Sequence, residues 1–278
     1  LKVKQAREKR LAYQARKIAW QELQHVVAAG IGQFKADVGI VVKDLRYGWE
    51  FSYQKEKMFP SASLAKIPLM AACYVAADKG RIKLDQNIAL RPADKLGGSG
   101  VLKSKPARTV FSLDRLINLM ICESDNTATN ILTSLLGIDY LNQAFRDFKL
   151  KNTGLSRRIA DYKARSRGIE NYTTAGDMAF LLERFYRKAL VNKKVSDLCI
   201  NTLKLTRLND RIPKYLPAEI TVAHKTGLER SVCHDAGIVF TNKGDFIIVV
   251  LTKHPAKQGS TPAKDFIAKI ALSTYEFF

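Results

Sequence analysis

The chain predicts an α+β fold, in which an antiparallel sheet covered by helices stands beside a mostly helical lobe. Three observations lead there. Strand-like runs gather toward the two ends of the 278 residues. Helix-period runs flank them at both termini, and the middle, roughly 63–205, reads as one helix after another. Strands drawn from both ends need covering on their apolar faces, and the terminal helices are placed to cover them. The expectation is one domain over 1–278, with a sheet lobe from 1–62 and 206–278 and a helical lobe from 63–205. A ligand site would lie between them.

The elements follow in order. Residues 1–33 read as a basic helix carrying Lys2, Lys4, Arg7, Lys9, Arg10, Arg16 and Lys17. Leu11, Ala15, Ala19 and Leu23 recur every fourth residue, with Ile18, Val26 and Val27 beside them. That is the pattern of a surface helix packed on the sheet by one stripe. A hairpin joins Val38–Leu45 to Trp49–Tyr53 across Arg46-Tyr47-Gly48. From Leu64 to Val75 the apolar run is too long for a strand and ends near Lys79-Gly80. Pro68 lies early in that helix, where a missing N–H costs least, so the helix starts close to Ser63. Gly97-Gly98-Ser99-Gly100 reads as an ordinary surface loop, with a cleft border as the alternative. An apolar helix spans Leu113 to Cys122, the text turns polar, and a helix resumes through Thr127–Leu132. Strands read at Ile220–His224, Ala236–Phe240 and Phe246–Leu251, and a last helix covers about 262–278.

Composition bounds the function. The net charge is +20, which implies anionic surroundings: membrane headgroups, cell-wall polymers or nucleic acid. Nucleic acid is disfavoured, because no aromatic-basic platform or recognised module appears. No apolar run reaches the length of a membrane span. The chain starts at Leu1 rather than Met, which fits a cleaved export signal or anchor. Cys73, Cys122, Cys199 and Cys233 lack paired metal spacing and read as buried thiols. Cys73 and Cys122 fall on helices that adjoin the motifs below, where they could approach each other. The four histidines do not cluster, so no metal or other cofactor is expected. His234 reads as a plain strand histidine, with help in binding a carboxylate as the alternative.

Chemistry concentrates in three short motifs. Ser63-Leu64-Ala65-Lys66 comes first, Ser124-Asp125-Asn126 follows 61 residues on, and Lys225-Thr226-Gly227 lies 101 residues further. A serine hydroxyl is a poor nucleophile near neutral pH and needs a base beside it. Three residues is nearly one helical turn, so Ser63 and Lys66 share a face. The helix N-terminus adds positive potential, which lowers the pKa of a lysine. Ser124 can relay a proton to a leaving nitrogen, and Asn126 can hold a substrate amide with its donor and its acceptor. Asp125 reads as a loop brace. Lys225 and Thr226 on a strand edge suit a carboxylate, and Gly227 lets a substrate backbone come close.

Each motif alone is weak, but the ordered triple resembles the signature set of the penicillin-recognising serine hydrolases, class A β-lactamases among them. The resemblance runs from about Val38 to the C-terminus. It implies a β-lactamase-like fold, acylation of Ser63 by β-lactams, Lys66 as base, and an oxyanion hole from the backbone N–H groups of Ser63 and Leu228. It also implies a β-lactam or peptidoglycan-like peptide as substrate and an extracytoplasmic place of work. One family feature is missing: the glutamate, within a Glu-x-x-Leu-Asn stretch, that activates the deacylating water. Aligning Asp161 with the acid that opens that loop puts Ala164 near the glutamate's position. Asp161 and Glu170 are the acids near enough in sequence to substitute as the deacylation base, and for each a loop-bracing role is the plainer reading. Two other readings stay open: a D,D-peptidase-like protein that stays acylated, and a non-catalytic envelope-binding protein with weak anionic membrane or cell-wall contact.

Overall fold

A computed structural model describes residues 2–278, apart from the side chains of Lys2, Val3 and Lys9. Leu1 and the Lys2 and Lys9 side chains of the basic run therefore lie outside the described residues. Helix α1 (Lys2–Gln33) precedes the hairpin of β1 (Asp37–Asp44) and β2 (Glu50–Tyr53). The short strand β3 (Phe59–Pro60) leads through a 3-10 turn, Ala62–Ala65, into α2 (Lys66–Asp78). Strands β4 (Asn87–Ala89) and β5 (Val110–Ser112) precede α3 (Leu113–Cys122), α4 (Asn126–Leu136) and α5 (Ile138–Asp147). The short helix α6 (Tyr162–Ser166) and strand β6 (Tyr172–Thr173) lead to α7 (Ala175–Tyr186) and α8 (Lys193–Leu203). The chain ends with β7 (Thr221–Glu229), β8 (Val232–Phe240), β9 (Phe246–Lys253) and α9 (Thr261–Phe277).

The main sheet is antiparallel, in the order β2-β1-β9-β8-β7. Val41 faces Val249 across one ladder, and Ala236 faces Val249 across the next. Strands β8 and β9 are buried almost end to end, so they read as continuous apolar runs rather than as alternation. One sheet face presents Ile40, Val42, Ile248 and Val250 to Trp20, Leu23 and Val27 of α1 and to Phe266, Ile267 and Ile270 of α9. The other presents Val41, Ile247, Val249 and Leu251 to the helical lobe. At the centre of that lobe, α2 is buried continuously from Lys66 to Ala76. A helix covered on all sides can be apolar all round. All four cysteines are buried thiols.

Two local constructions fix the parts nearest the site. Strand β3 pairs with β6, and Ser61 N donates to Asn171 O at 2.8 Å. The segment entering the Ser63 turn is thereby stitched to the end of the loop over residues 157–171. Asp44 holds the first hairpin. Its fully buried Oδ1 accepts from the backbone N–H of Arg46 (2.7 Å) and of Tyr47 (2.9 Å), and Oδ2 accepts from Arg16 Nη2 of α1 at 3.2 Å. Asp44→Ala leaves three donors without that partner. Hydrogen bonds to a charged group contribute ~1.5–3 kcal/mol each, so a loss of ~2–4 kcal/mol is expected after partial rehydration. Urea unfolding of Asp44→Ala and the parent reads it; a loss below ~1 kcal/mol would show that the turn stands without the carboxylate.

Candidate active site

Ser63 sits in the 3-10 turn that feeds α2, as the early Pro68 indicated. The residue before it, Ala62, has φ of 45°. Ser124 (φ 51°) and Ala160 (φ 61°) are also in the left-handed region. Each costs a non-glycine residue ~1–3 kcal/mol; Ala62 and Ala160 line one cavity, and Ser124 lies against Lys66 behind it.

Behind the turn lies Lys66, fully buried. Its Nζ is 2.6 Å from Ser124 O, 3.0 Å from Asn126 Oδ1 and 3.1 Å from Ser124 Oγ. Burial pulls the lysine pKa well below its ordinary value, Lys225 nearby pulls the same way, and Asp125 opposes them. The contacts suit a neutral amine. The carbonyl and the amide oxygen can only accept, so they take its two N–H groups. Its lone pair is then left for the one partner that can donate, the Ser124 hydroxyl.

The second motif divides its labour. Asp125 caps α4 by accepting from Ala128 N at 2.9 Å, and its other oxygen takes Val101 N (2.7 Å) and Leu102 N (2.8 Å). It is the loop brace read from sequence. Asn126 differs from its reading. Its Oδ1 is held by Lys66, its Nδ2 donates to Gly97 O at 3.2 Å, and its backbone N donates to Ser99 O at 3.1 Å. A substrate amide must therefore displace Gly97 to be clamped.

These contacts also correct the reading of Gly97–Gly100 as a plain surface loop: it forms one wall of the site. A Cβ at Gly98 would stand 2.9 Å from Asn126 Nδ2, and one at Gly100 would be 2.3 Å from the Asp125 carboxyl. Only glycine fits such close approaches, and both have positive φ.

The third motif lies on β7, an edge strand that runs beside the Ser63 turn. Lys225 and Thr226 are both buried, and Lys225 Nζ donates to Thr226 O at 3.0 Å. Burial lowers the Lys225 pKa to about 7, against the pull of Asp235. A Cβ at Gly227 would be 3.2 Å from His234 Cδ2 and 3.4 Å from Ala62 Cβ, so this glycine lets β7 close on the turn. His234 does not bind a carboxylate: its Nε2 donates to Pro60 O at 2.8 Å, and its Nδ1 accepts from Thr252 N at 3.1 Å. Burial lowers its pKa to about 4, so it stays neutral and ties the sheet to β3.

A cavity of about 90 Å³ opens at Ser63, walled by Gly98, Ser99, Asn126, Leu228 and Glu229 and by Arg157, Ile159, Ala160, Tyr162 and Asn171. Ser63 and Leu228, the proposed oxyanion donors, thus share one cavity. Ala164 does not reach it. It is buried in α6, where its N–H caps on Asp161 Oδ1 at 2.9 Å. The loop residues that wall the cavity are Arg157, Ile159, Ala160, Tyr162 and Asn171. Asp161, the residue used to place Ala164, is the cap of α6.

Nor does Asp161 or Glu170 wall the cavity. Glu170 Oε1 is held by Arg157 Nη2 (2.5 Å) and Asn171 N (2.8 Å), and its Oε2 lies 3.2 Å from Arg165 Nε. Arg165 goes on to Glu229 Oε2 at 2.6 Å. Both candidate acids are braces, the plainer of the two roles read from their place in the chain. Asn171 and Glu229 were not foreseen. Asn171 Oδ1 accepts from Ser156 N and Arg157 N at 2.8 and 3.0 Å, closing the loop on itself. No spacing announces such a brace.

A nucleophile turn, a buried lysine, a relay hydroxyl and a neighbouring strand edge, set between a sheet lobe and a helical lobe, define a penicillin-recognising serine hydrolase. The chain belongs to the beta-lactamase enzyme family, whose model matches residues 19–278. Beta-lactamase VEB-1 of Pseudomonas aeruginosa is 26% identical over 237 residues, 79% of this chain and 78% of that protein. A beta-lactamase from Sphaerobacter thermophilus superposes with a TM-score of 0.83 at 29% identity, over 92% of this chain and 97% of that one. PBP-A does so with a TM-score of 0.83 at 27% identity, over 92% and 95%. A Leu-to-Glu mutant of PBP-A, solved as an acyl-enzyme with penicillin G, gives 0.81 at 27% identity over 94% and 96%.

The buried lysines make stability depend on pH. Unfolded Lys225 titrates near its ordinary 10.5 and folded Lys225 near 7. Between those values the unfolded chain binds more protons, so stability rises with pH; below about 7 both states are protonated and the burial penalty is full. Lys66 acts in the same direction. Unfolding free energy should therefore climb from about pH 7 to 8; above that the four buried thiols, whose pKa burial raises, act in the opposite direction as the unfolded cysteines ionise. Lys225→Met should flatten part of the climb; equal slopes in variant and parent would count against the lowered lysine.

Proposed function

We propose that the chain is a serine hydrolase acylated at Ser63 by β-lactams, opening the lactam amide and releasing the product slowly. The observation that carries this is Lys66, fully buried behind the Ser63 turn with its Nζ 3.1 Å from Ser124 Oγ. Ser63 Oγ attacks the lactam carbonyl while Lys66 takes its proton. The proton passes through Ser124 Oγ to the leaving nitrogen, and the N–H groups of Ser63 and Leu228 face the oxyanion. One such donor is typically worth ~3–4 kcal/mol of barrier. Lys225 and Thr226 supply positive charge and a hydroxyl for the substrate carboxylate, once binding opens the edge of β7. Asn126 exchanges Gly97 for the substrate amide. The work is extracytoplasmic, on β-lactams or peptidoglycan-like peptides and against anionic envelope surfaces.

Slow release follows from the wall opposite. Glu229 is the one acid walling the cavity among the described residues, and it is tied to Arg165. The loop contributes Ile159 at the apolar side. A water over the ester has no free carboxylate to deprotonate it. The same observation favours a second reading, a penicillin-binding D,D-peptidase-like protein that stays acylated. A mutant of PBP-A, a fold neighbour, is described as an acyl-enzyme complex with penicillin G.

Intact-protein mass spectrometry after benzylpenicillin should show one adduct, on the peptide bearing Ser63, and none in Ser63→Ala. Lys66→Ala should slow acylation by ~10²–10⁴, the scale of a lost general base. An adduct of equal yield in the alanine variant at position 63 would reject the nucleophile.

With a chromogenic cephalosporin, a burst of about one equivalent should precede a slow phase. Removing a positioned base from an ordinary turnover of ~10–10³ s⁻¹ leaves roughly 10⁻³–10 s⁻¹. Ile159→Glu should raise the slow phase by about tenfold or more while leaving the burst amplitude in place. Fast linear turnover by the parent, without a burst, would show that another base is present.

A further inference from the structure

Residues 2–18 lie outside the span that matches the family, yet they continue α1 without a break. Every described residue from Lys4 to Ala15 is exposed. An isolated helix of this length is marginal in water, even for favourable sequences. Its inward contacts are those of Tyr13 with Tyr47 and Trp49 and of Arg16 with Tyr47, Phe277 and Phe278, which leave the outward face of the segment without apolar cover.

The outward face of α1 has its own pattern. At about 100° per residue, Leu11, Ala15, Ile18, Val26 and Ala29 fall within an arc of roughly 80°, well away from the sheet-facing Trp20, Leu23 and Val27. Leu11, Ile18 and Val26 are 56%, 59% and 53% exposed. Glu22 is the one charge on the arc between Ile18 and Ala29. At its C-terminal end the stripe runs into an apolar groove of about 550 Å³ between α1 and α9, lined by Val26, Ala29, Phe34, Phe266 and Ile270. Lys4 and Arg7 lie at the stripe's N-terminal end, with Arg10 and Lys17 on one flank. Over residues 2–18 there are seven basic side chains against one acidic, Glu8. Arg16 is spent inward on Asp44.

We propose that this face of α1 docks on an anionic lipid surface, with the helix lying in the interface and the catalytic domain held beside the bilayer. Charge selects the sign of the partner, and the stripe selects its kind. A polyanion without an apolar layer, nucleic acid included, would use the basic side chains and leave Leu11, Ile18 and Val26 in water. A second copy would set seven basic residues against seven. A bilayer interface meets both requirements, with headgroups for the arginines and lysines and acyl-chain boundary for the stripe. The inference is independent of the acyl-transfer reading.

The test is cosedimentation of the full chain with vesicles of phosphatidylcholine, with and without phosphatidylglycerol, at low salt and at about 0.5 M salt. Binding should require the anionic lipid and weaken at least tenfold at high salt, where the Debye length falls to a few ångströms. Leu11→Ser/Ile18→Ser removes exposed apolar groups without changing charge and should weaken binding about tenfold. Lys4→Glu/Arg7→Glu/Arg10→Glu should abolish it. Circular dichroism and melting would verify that both variants keep the fold, and Ser63→Ala should bind as the parent does. Equal binding to neutral vesicles overturns the proposal. So does undiminished binding by the serine pair, which would mean adsorption to any polyanion through charge alone.

Discussion

Taking a lysine out of water is costly, and the site around Ser63 is organised by how that cost is met. An ammonium ion at Lys66 would have to be held by three acceptors in a medium of low polarity. The neutral amine needs only two, and the protein supplies two oxygens that cannot donate. The third neighbour, the Ser124 hydroxyl, can donate. The resting site therefore has a preferred proton arrangement before any substrate arrives. Changing one partner alters all three: loss of Asn126 Oδ1 leaves a buried N–H without its partner, and loss of the Ser124 hydroxyl leaves a lone pair without one.

That arrangement needs Ser124 and Asn126 held rigidly, which explains the neighbouring backbone. Ser124 is kept in the left-handed region by a brace on either side. Asp125 takes three backbone donors from two segments, and Asn126 is pinned to the 97–100 loop at both its amide and its backbone N–H. The glycines of that loop let it pack within van der Waals distance of the braces. His234 and Gly227 do the corresponding work on the opposite side, drawing the sheet onto the Ser63 turn. Around the site the left-handed backbone falls at Ala62, Ser124 and Ala160, and neighbours with no reacting atoms hold it in place.

How far this could be read from residues alone depended on whether the information was local. The first hairpin, the helix that starts beside Pro68, the Leu113–Cys122 helix and the three sheet strands follow from periodicity and turn residues, and they lie within a few residues of where these indicate. The three motifs come together because each is tied to an element end. The cavity's other walls were illegible. Gly98, Ile159 with Tyr162, and Glu229 come from three separate stretches, and their convergence depends on long-range packing that no short window contains. Placing Ala164 over the site rested on treating Asp161 as a loop acid. A helix of five residues is too short to show a period, so its cap was indistinguishable from any other aspartate.

The loop over 157–171 separates two jobs that a single acid could otherwise have combined. Its shape is held by charge, through Arg157, Glu170, Arg165 and Glu229, and by the amide of Asn171. Its contribution to the cavity beside Ser63 includes the uncharged Ile159, Ala160 and Tyr162. Burial raises the Glu229 pKa, while Arg165 and Arg157 pull it down, so what takes this carboxylate out of the reaction is its tie to Arg165 and not a loss of basicity. Braced as they are, Glu170 and Glu229 cannot also take a proton from water without loosening the loop that positions them. In the proposed mechanism, fast formation and slow hydrolysis of the acyl-enzyme are two consequences of one division: Lys66 serves as the base on the helical side, and the loop opposite is built for rigidity.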